Sequence, residues 1–225
     1  MNGLAYSPDD AVGIFGGTFD PVHYGHLRAA LEARELLKLD DFRLLPAGTP
    51  PHRSNTVAPA VHRLAMLQLA VSEYTGFKVD DREVRREGAS YMADTLREIR
   101  EETGDSPLLL IIGQDAANAL DSWHQWQSIF DLAHLVIMRR PESTLSWSGE
   151  LKNQMERRLV RDQKQLRDES AGLVFPLEVT QLAISSTGIR NQLLAGRSPR
   201  FLLPDAVIDY IKQNTLYFAP AARKG

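Results

Sequence analysis

Five consecutive apolar residues, 108–112, constrain the fold of this chain more than any other segment. Pro107 and Gly113 bound the run, and its length suits a strand rather than a helix. A strand that is apolar at every position must be covered on both faces, which is typical of parallel sheets. The run therefore predicts a strand in a parallel sheet with helices on both faces.

Short apolar runs and amphipathic segments alternate along most of the chain. The amphipathic segments at 27–39, 61–71 and 91–102 carry apolar residues at helical spacing and separate successive apolar runs. This alternation is typical of strand–helix units, so we predict an α/β fold. The other predicted strands are 11–15, 42–45, 77–79, 134–138 and 172–179.

The 225 residues suffice for one domain with a sizeable core. We predict a core over residues 11–190 and a small helical appendage of the same domain over 191–218. Pro204 and Asp205 open the last predicted helix, which should end near residue 214. We expect the segment after Leu216 to be loosely held, with residues 219–225 as a tail.

Composition excludes several functional classes. The chain has no cysteine, which excludes disulfides and thiolate chemistry, and its net charge of −3 provides no basic field for nucleic acid. The first ten residues lack the basic and apolar regions of a secretory signal, and no apolar run approaches the ~20 residues of a membrane helix. We therefore expect a cytoplasmic protein without nucleic-acid or membrane partners. The sequence indicates no oligomeric state.

Residues 148–169 form the most charged stretch of the chain. Leu151, Met155 and Leu159 recur every four residues among several arginines and lysines. This pattern favours a helix with one apolar stripe and a solvated charged face over a surface for nucleic acid or another anionic partner.

Residues 16–26 read Gly-Gly-Thr-Phe-Asp-Pro-Val-His-Tyr-Gly-His and lie between a predicted strand and a predicted helix. The two glycines allow the backbone to approach a ligand, and free N–H groups at the helix start favour an anion. His23 and His26 are three residues apart, so their rings should point to the same side. By themselves they would also fit a surface pair or half of a metal site. Neither a P-loop nor the dinucleotide-binding glycine pattern is present, and the whole segment suggests a phosphate site.

Residues 184–190 read Ile-Ser-Ser-Thr-Gly-Ile-Arg and precede another amphipathic segment. A hydroxyl at this position can simply cap the helix. Arg190 lies one turn into the helix, on the side of the hydroxyls, and can donate two hydrogen bonds to a phosphate. The segment therefore predicts a helix cap, and with Arg190 a second phosphate site.

Both motifs, in this order, resemble the signatures of the HxGH nucleotidyltransferases, and of the nicotinate-nucleotide adenylyltransferases in particular. The resemblance extends from about residue 12 to residue 217. It implies a Rossmann-like nucleotidyltransferase fold and the transfer of AMP from ATP to nicotinate mononucleotide, giving deamido-NAD and pyrophosphate in NAD biosynthesis. Nicotinamide mononucleotide as a sole or second acceptor, and a catalytically silent nucleotide-binding sensor, remain alternatives. The segments at 46–53 and 123–124 argue against phosphopantetheine as the acceptor.

The resemblance implies that His23, His26 and Arg190 are catalytic and contact the phosphates of ATP. The other predicted ATP-binding residues are Gly16, Gly17, Thr18, Phe19, Gly113, Asp115, Ser185, Ser186 and Thr187. The predicted mononucleotide-binding residues are Thr18, Phe19, Thr49, His52, Arg53, Met92, Trp123, His124 and Arg140.

Several acceptor-site assignments have simpler alternatives. The proline-rich loop at 46–53 would also serve as a rigid turn, Trp123 as a core residue and Arg140 as a surface charge. Met92 stands where the similar enzymes usually have threonine. A family contact through the backbone would survive this change, whereas a contact through the hydroxyl would be lost.

We expect Mg²⁺ to bind through the phosphates of ATP. The ion prefers phosphate and water oxygens to a cage built only from protein. We therefore assign no protein ligand to a metal.

Overall fold

A computed structural model describes residues 11–48, 57–139 and 147–218 of the chain. Within these ranges six strands form one sheet in the order β3-β2-β1-β4-β5-β6, and every neighbouring pair is parallel. The predicted parallel sheet is confirmed. The strands are β1 (Val12–Gly17), β2 (Asp41–Pro46), β3 (Lys78–Val79), β4 (Leu108–Gly113), β5 (His134–Arg139) and β6 (Val174–Glu178).

Helices cover both faces of the sheet, as predicted. The described α-helices are α1 (Tyr24–Leu36), α2 (Ala60–Val71), α3 (Arg82–Arg85), α4 (Met92–Thr103), α5 (Gln114–Asn118), α6 (Ile129–Leu132), α7 (Gly149–Arg158), α8 (Ser186–Leu194) and α9 (Asp205–Gln213). Short 3₁₀ helices lie at Leu120–Ser122, Trp126–Ser128 and Gln163–Arg167.

The alternation of side chains along β4 builds the two layers of the core. Leu109 and Ile111 pack in an apolar cluster with residues of α1, α2, α8 and α9. Leu108, Leu110 and Ile112 pack in a second cluster with residues of α4, α5, α6 and α7. All five side chains are buried, because successive residues of a strand point to opposite faces.

Strand β1 extends further than the predicted run and includes both glycines of the first motif. It stays paired with β2 up to its last residue, and the carbonyl of Gly17 accepts a hydrogen bond from the N–H of Ala47 at 2.9 Å. Strand β6 is shorter than predicted, and β3 has only two residues. The first motif therefore begins inside the sheet rather than after it.

The predicted helix over the charged stretch is broken after Arg158. Leu151 and Met155 are buried on its apolar side, as the pattern predicts. Leu159 instead has an extended conformation and bridges to Val174, and the N–H of Val160 donates to the Val174 carbonyl at 2.9 Å. The expectation that Leu159 continues the helix is wrong, because this backbone pairs with the start of β6.

The C-terminal helices α8 and α9 pack against the same face of the sheet as α1 and α2. The predicted division after residue 190 falls within α8 and stays a prediction. Tyr217 was expected in a loosely held segment, but its side chain is buried and its hydroxyl donates to Asp20 at 2.6 Å. That expectation is wrong for Tyr217. None of the helices in the described ranges has both the length and the apolar composition of a membrane span.

Candidate active site

The strand order places a crevice between the carboxyl ends of β1 and β4. The chain leaves β1 through α1 towards β2, and leaves β4 towards β5 on the opposite side of the sheet. Open α/β sheets bind ligands at such a reversal. The predicted site residues after Gly17 and after Gly113 therefore lie on neighbouring strands at one edge.

Two glycines of the first motif, Gly16 and Gly17, lie close to neighbouring side chains at the end of β1. A Cβ atom on Gly16 would lie 2.9 Å from Cε of Met92, and one on Gly17 would lie 2.8 Å from Cζ of Phe19. Met92, in the first turn of α4, therefore lies directly against the end of β1. This contact places the residue that departs from the family pattern beside the first motif.

Phe19 contributes to the core rather than presenting its ring to the crevice. It has a positive φ of 49°, and only 2% of the residue is exposed. Its ring packs edge-on against Phe15 and His26, at centroid distances of 5.8 and 5.1 Å. Its backbone is thus the part that can contact a ligand.

His23 and His26 stack on one another at the start of α1. Their ring centroids are 3.7 Å apart and the ring planes differ by 26°, so the rings point to the same side as the spacing predicts. The Nδ1 atoms of both rings are buried and have no hydrogen-bond partner among the described residues. Buried polar atoms normally have a partner, so the pair suits a ligand with complementary atoms.

Burial also determines the charge of the pair. Desolvation lowers the pKa of His23 from its ordinary value of 6.5 to about 4. Desolvation lowers the pKa of His26 as well, and the neighbouring His23 adds to this effect. In the absence of a ligand both rings are therefore neutral near pH 7, and each offers an N–H rather than a positive charge.

The start of α1 has fewer free N–H groups than we expected. The N–H of Tyr24 donates to the carbonyl of Leu202 at 2.9 Å, and the N–H of His26 donates to the carbonyl of His23. The expectation of a free helix start is wrong for these two groups. The chain before α9 returns to meet the N–H of Tyr24, and the N–H of His26 bonds within the first turn.

The second motif packs directly against the first. Ser185 caps α8 by accepting a hydrogen bond from the N–H of Gly188 at 3.1 Å, which confirms the predicted cap. Ser186 donates its hydroxyl to the carbonyl of Pro21 at 2.9 Å, and Arg190 donates from Nη1 to the carbonyl of Asp20 at 2.7 Å. These bonds bring Arg190 to the loop between β1 and α1.

The hydroxyls of this motif differ in what they can offer a phosphate. Ser186 already donates its only hydroxyl proton to Pro21. Thr187 instead accepts from Nη2 of Arg190 at 3.2 Å, so its own proton can be donated elsewhere. Thr187 is thus better suited than the Ser186 side chain to bind an anion in this arrangement.

The carboxyl end of β4 is open. A Cβ atom on Gly113 would meet no atom within 4 Å, and Asp115 is exposed in the first turn of α5. Trp123 is half-buried beside the second apolar cluster, and exposed His124 packs on Tyr91 with ring centroids 4.2 Å apart. Tyr91 is the residue before α4 and was not among the predicted site residues.

Four residues that we predicted to bind the mononucleotide lie outside the described residues: Thr49, His52, Arg53 and Arg140. Their assignments stay predictions. In the ranges that the structure describes, no three His, Asp or Glu side chains group as ligands for a metal ion.

Comparison with known proteins agrees with this geometry. Residues 14–192 match the cytidylyltransferase-like family. A relative from Methylococcus capsulatus, named a probable nicotinate-nucleotide adenylyltransferase, is 53% identical over 92% of this chain and 99% of its own. A relative of the same name from Marinobacter nauticus is 46% identical over 92% and 96% of the two chains. The chain belongs to the nicotinate-nucleotide adenylyltransferase family.

Solved structures show the same fold at low sequence identity. A Plasmodium falciparum nicotinic acid mononucleotide adenylyltransferase complexed with NaAD is similar with a TM-score of 0.69 and 16% identity. The alignment covers 92% of this chain and 97% of that one. The Rossmann-like nucleotidyltransferase fold implied by the motifs is therefore confirmed.

Sequence reasoning missed a buried arginine that joins the loop after β1 to both ends of the connection between β2 and α2 in this adenylyltransferase fold. Arg63, on α2, is 1% exposed and donates to the carbonyls of Thr18, Gly48 and Ala58 at 2.8, 2.7 and 3.2 Å. A charged residue on the apolar side of a predicted amphipathic helix was the signal for this role. Arg63 holds the segment after β1 against the segment after β2.

Asp20 was part of the first motif but was not assigned a role. It is 3% exposed and accepts hydrogen bonds from the N–H groups of Val57 and Ala58, at 2.8 and 3.1 Å, and from Tyr217. No local pattern pointed to Tyr217, because its partner lies at the other end of the chain.

Glu83 contacts the start of the proline-rich loop at 46–53, which is predicted to bind the mononucleotide. Its carboxylate accepts from the hydroxyl of Thr95 at 2.8 Å and from the N–H of Gly48 at 3.4 Å. A Cβ atom on Gly48 would lie 2.0 Å from the Glu83 carbonyl oxygen, so only glycine fits there. Burial raises the pKa of Glu83.

The lowered pKa of His23 predicts a pH-dependent cost of folding. Between pH 6.5 and about 4 the unfolded chain binds a proton that folded His23 does not, so the free energy of unfolding falls as pH falls. Replacing His23 with Gln removes this contribution. Urea titrations measure the free energy of unfolding of both proteins at pH 7.5 and pH 5. Over this range the unmodified protein should lose about 2 kcal/mol more than H23Q. Parallel stability curves would contradict neutral burial of His23.

Proposed function

We propose that the crevice between β1 and β4 binds ATP and nicotinate mononucleotide and transfers AMP to the mononucleotide, giving deamido-NAD and pyrophosphate. The observation that carries this proposal is that Arg190 bonds to the loop between β1 and α1, at Asp20, just before the stacked His23–His26 pair at the strand reversal. The names of the relatives agree with it, as do the Plasmodium falciparum structures described with APC and with NaAD.

The reaction asks the protein for positioning and charge neutralisation rather than for a covalent nucleophile. The phosphate of the mononucleotide has a second pKa of about 6, so it is largely a dianion at pH 7. One of its oxygens bonds to the α-phosphorus of ATP. The bond from that phosphorus to the oxygen bridging the α- and β-phosphates breaks, and pyrophosphate leaves with that oxygen. The residues must hold two anions in line and stabilise the charge of the departing group.

The neutral histidine pair suits the first of these tasks. Each ring has one buried Nδ1 without a hydrogen-bond partner among the described residues, and each neutral ring has one N–H that can donate to a phosphate oxygen. A bound polyphosphate would raise the pKa of both rings again, since a nearby anion favours the protonated form. His23 and His26 would thus gain positive character where negative charge develops.

Arg190, Ser185 and Thr187 would hold the β- and γ-phosphates from the side of α8. Arg190 donates from Nη1 to the carbonyl of Asp20 in the first motif and from Nη2 to the hydroxyl of Thr187. The backbone of Gly16, Gly17, Thr18 and Phe19 would follow the phosphates, with Ser186 contributing its backbone N–H. Gly113 and Asp115 would border the nucleoside, in the open space at the end of β4.

On the acceptor side, Trp123 would stack on the pyridine ring, with His124 beside its carboxylate. The contact of Tyr91 with His124 links this loop to the start of α4, where Met92 lies against Gly16. We further propose that Thr49, His52, Arg53 and Arg140 complete the acceptor pocket. We retain the division into a core over 11–190 and a C-terminal appendage over 191–218 as part of the proposal.

We propose Mg²⁺ as the divalent ion of the reaction. On the side of the two motifs, the polar groups of the crevice include ring N–H groups, a guanidinium and hydroxyls, which suit phosphate oxygens rather than a bare cation. The ion would therefore be held by the phosphates of ATP and water. When bound, Mg²⁺ would neutralise part of the negative charge of the ATP phosphates.

Pyrophosphate release with ATP and Mg²⁺ tests the proposed function, with nicotinate and nicotinamide mononucleotide offered in parallel. A strong preference for the acid supports the assignment. Equal rates would establish dual specificity and direct attention to Met92. Absence of release with both acceptors, in protein that still binds ATP, would contradict the proposal and favour a nucleotide sensor.

Replacing His26 with Ala should lower kcat by at least ~100-fold, comparable to the loss of one preorganised donor to a developing oxyanion. Steady-state pyrophosphate release measures this effect. His62→Ala is the control, because His62 pairs with Tyr210 between α2 and α9, and it should retain kcat within about threefold. Turnover of H26A within a few-fold of the unmodified enzyme would remove His26 from the reaction.

Replacing Trp123 with Ala should raise KM for the mononucleotide by about tenfold and leave KM for ATP nearly unchanged, because a stacked ring loses its platform. Trp126→Ala is a matched control: this half-buried ring packs edge-on against Phe130 in the same apolar cluster. If both variants fold and neither changes KM for the mononucleotide, Trp123 is a core residue.

A further inference from the structure

The C-terminal segment reaches the phosphate side of the crevice through one tyrosine. Tyr217 is 7% exposed, and its hydroxyl donates to Oδ1 of Asp20 at 2.6 Å. Its backbone has a φ of 63°, a left-handed conformation that bulky residues rarely adopt. Such a conformation persists only where the surroundings hold it in place, and here the buried ring and hydroxyl do so.

Asp20 connects Tyr217 with the phosphate-binding motifs. Its carboxylate accepts from Tyr217 and from the two N–H groups of Val57 and Ala58, which lead into α2. Its backbone carbonyl accepts from Nη1 of Arg190 at 2.7 Å. One buried residue therefore contacts the C-terminal segment, the residues just before α2 and the arginine of the second motif.

The same arginine is close enough to pair with the carboxylate. Nη1 of Arg190 lies 3.9 Å from Oδ2 of Asp20, farther than from the carbonyl to which it donates. A buried carboxylate that loses a donor carries a large energetic cost, and the nearest cation relieves it most directly. Without the tyrosine hydroxyl, Arg190 would be drawn onto the carboxylate and away from the crevice.

The hydroxyl is suited to remain a donor. Burial and the adjacent carboxylate of Asp20 raise the pKa of Tyr217 above its usual range, so the hydroxyl keeps its proton. Arg63, which also faces this region, donates to three backbone carbonyls and holds the surrounding loops. Tyr217 and the two backbone N–H groups are thus the donors that satisfy the carboxylate.

We propose that Tyr217 is a positioning residue of the ATP site: by satisfying Asp20, its hydroxyl leaves Arg190 directed towards the phosphates. This inference rests on the proposed function, because it assigns Arg190 to ATP. It adds a residue from the end of the chain to a site otherwise built from the two motifs.

The test is Tyr217→Phe, which removes the hydroxyl and keeps the ring. KM for ATP should rise by about tenfold while KM for the mononucleotide stays within about twofold, as expected for one charge-assisted hydrogen bond acting through Arg190. Tyr210→Phe is the matched control. It removes another tyrosine hydroxyl of the C-terminal segment, 2.9 Å from Nδ1 of His62, and should leave both KM values unchanged.

A double-mutant cycle separates positioning from a general structural effect. In an Arg190→Ala background, Tyr217→Phe should have no further effect on ATP binding, because the residue through which it acts is gone. Equal losses with and without Arg190, or equal rises in both KM values, would overturn the proposal. Should Tyr217→Phe unfold, trimethylamine N-oxide can restore folding without restoring the hydroxyl, and the same KM comparison then applies.

Calorimetry with a non-hydrolysable ATP analogue distinguishes failure of this inference from failure of the proposed function. If the unmodified protein binds the analogue but releases no pyrophosphate from ATP with either mononucleotide, the proposed function fails. The double-mutant cycle, measured by binding of the analogue, still tests Tyr217. If Tyr217→Phe binds the analogue as tightly as the unmodified protein, the positioning role is excluded, whatever the activity.

Discussion

Two buried charges, the guanidinium of Arg63 and the carboxylate of Asp20, hold the loops at the carboxyl edge of the sheet. Each is almost fully removed from water and is satisfied mainly by backbone groups of segments that are distant in sequence. A buried charge tolerates little displacement of its partners, because every lost hydrogen bond exposes an uncompensated charge to an apolar surrounding. The parallel sheet provides the crevice, and these two residues fix the shape of its walls.

The chemistry of the crevice follows from the same balance of burial and charge. Desolvation keeps His23 and His26 neutral, while Arg190 is held by the carbonyl of Asp20 and the hydroxyl of Thr187. A site for polyphosphate needs donors that are already oriented, since water then need not reorganise as charge develops. In the proposed ATP site, the stacked neutral rings and the fixed guanidinium would meet this requirement without gathering several mutually repelling cations.

Local patterns predicted the strands well because a buried parallel strand has a simple signature. The run at 108–112 and the glycine motif at the end of β1 needed no knowledge of their neighbours. The helix predicted over 148–169 forms but ends at Arg158 for the opposite reason: the residues after Arg158 pair with the start of β6, and this long-range contact overrides the helical spacing. Tyr217 escaped prediction because a single aromatic residue near a chain end carries no pattern, although its hydroxyl meets a buried carboxylate.

The sequence by itself determined the parallel α/β architecture, the family and the positions of its two motifs, because each depends on contiguous residues whose spacing matches a strand, a turn or a helix. Only the tertiary structure decided that the histidine rings are stacked and neutral, that Arg190 reaches Asp20, that Arg63 donates to the loop after β2, and that Tyr217 donates to Asp20. These properties depend on burial and on contacts between distant segments. A side chain's charge and orientation are set by what surrounds it, and that is known only once the chain is folded.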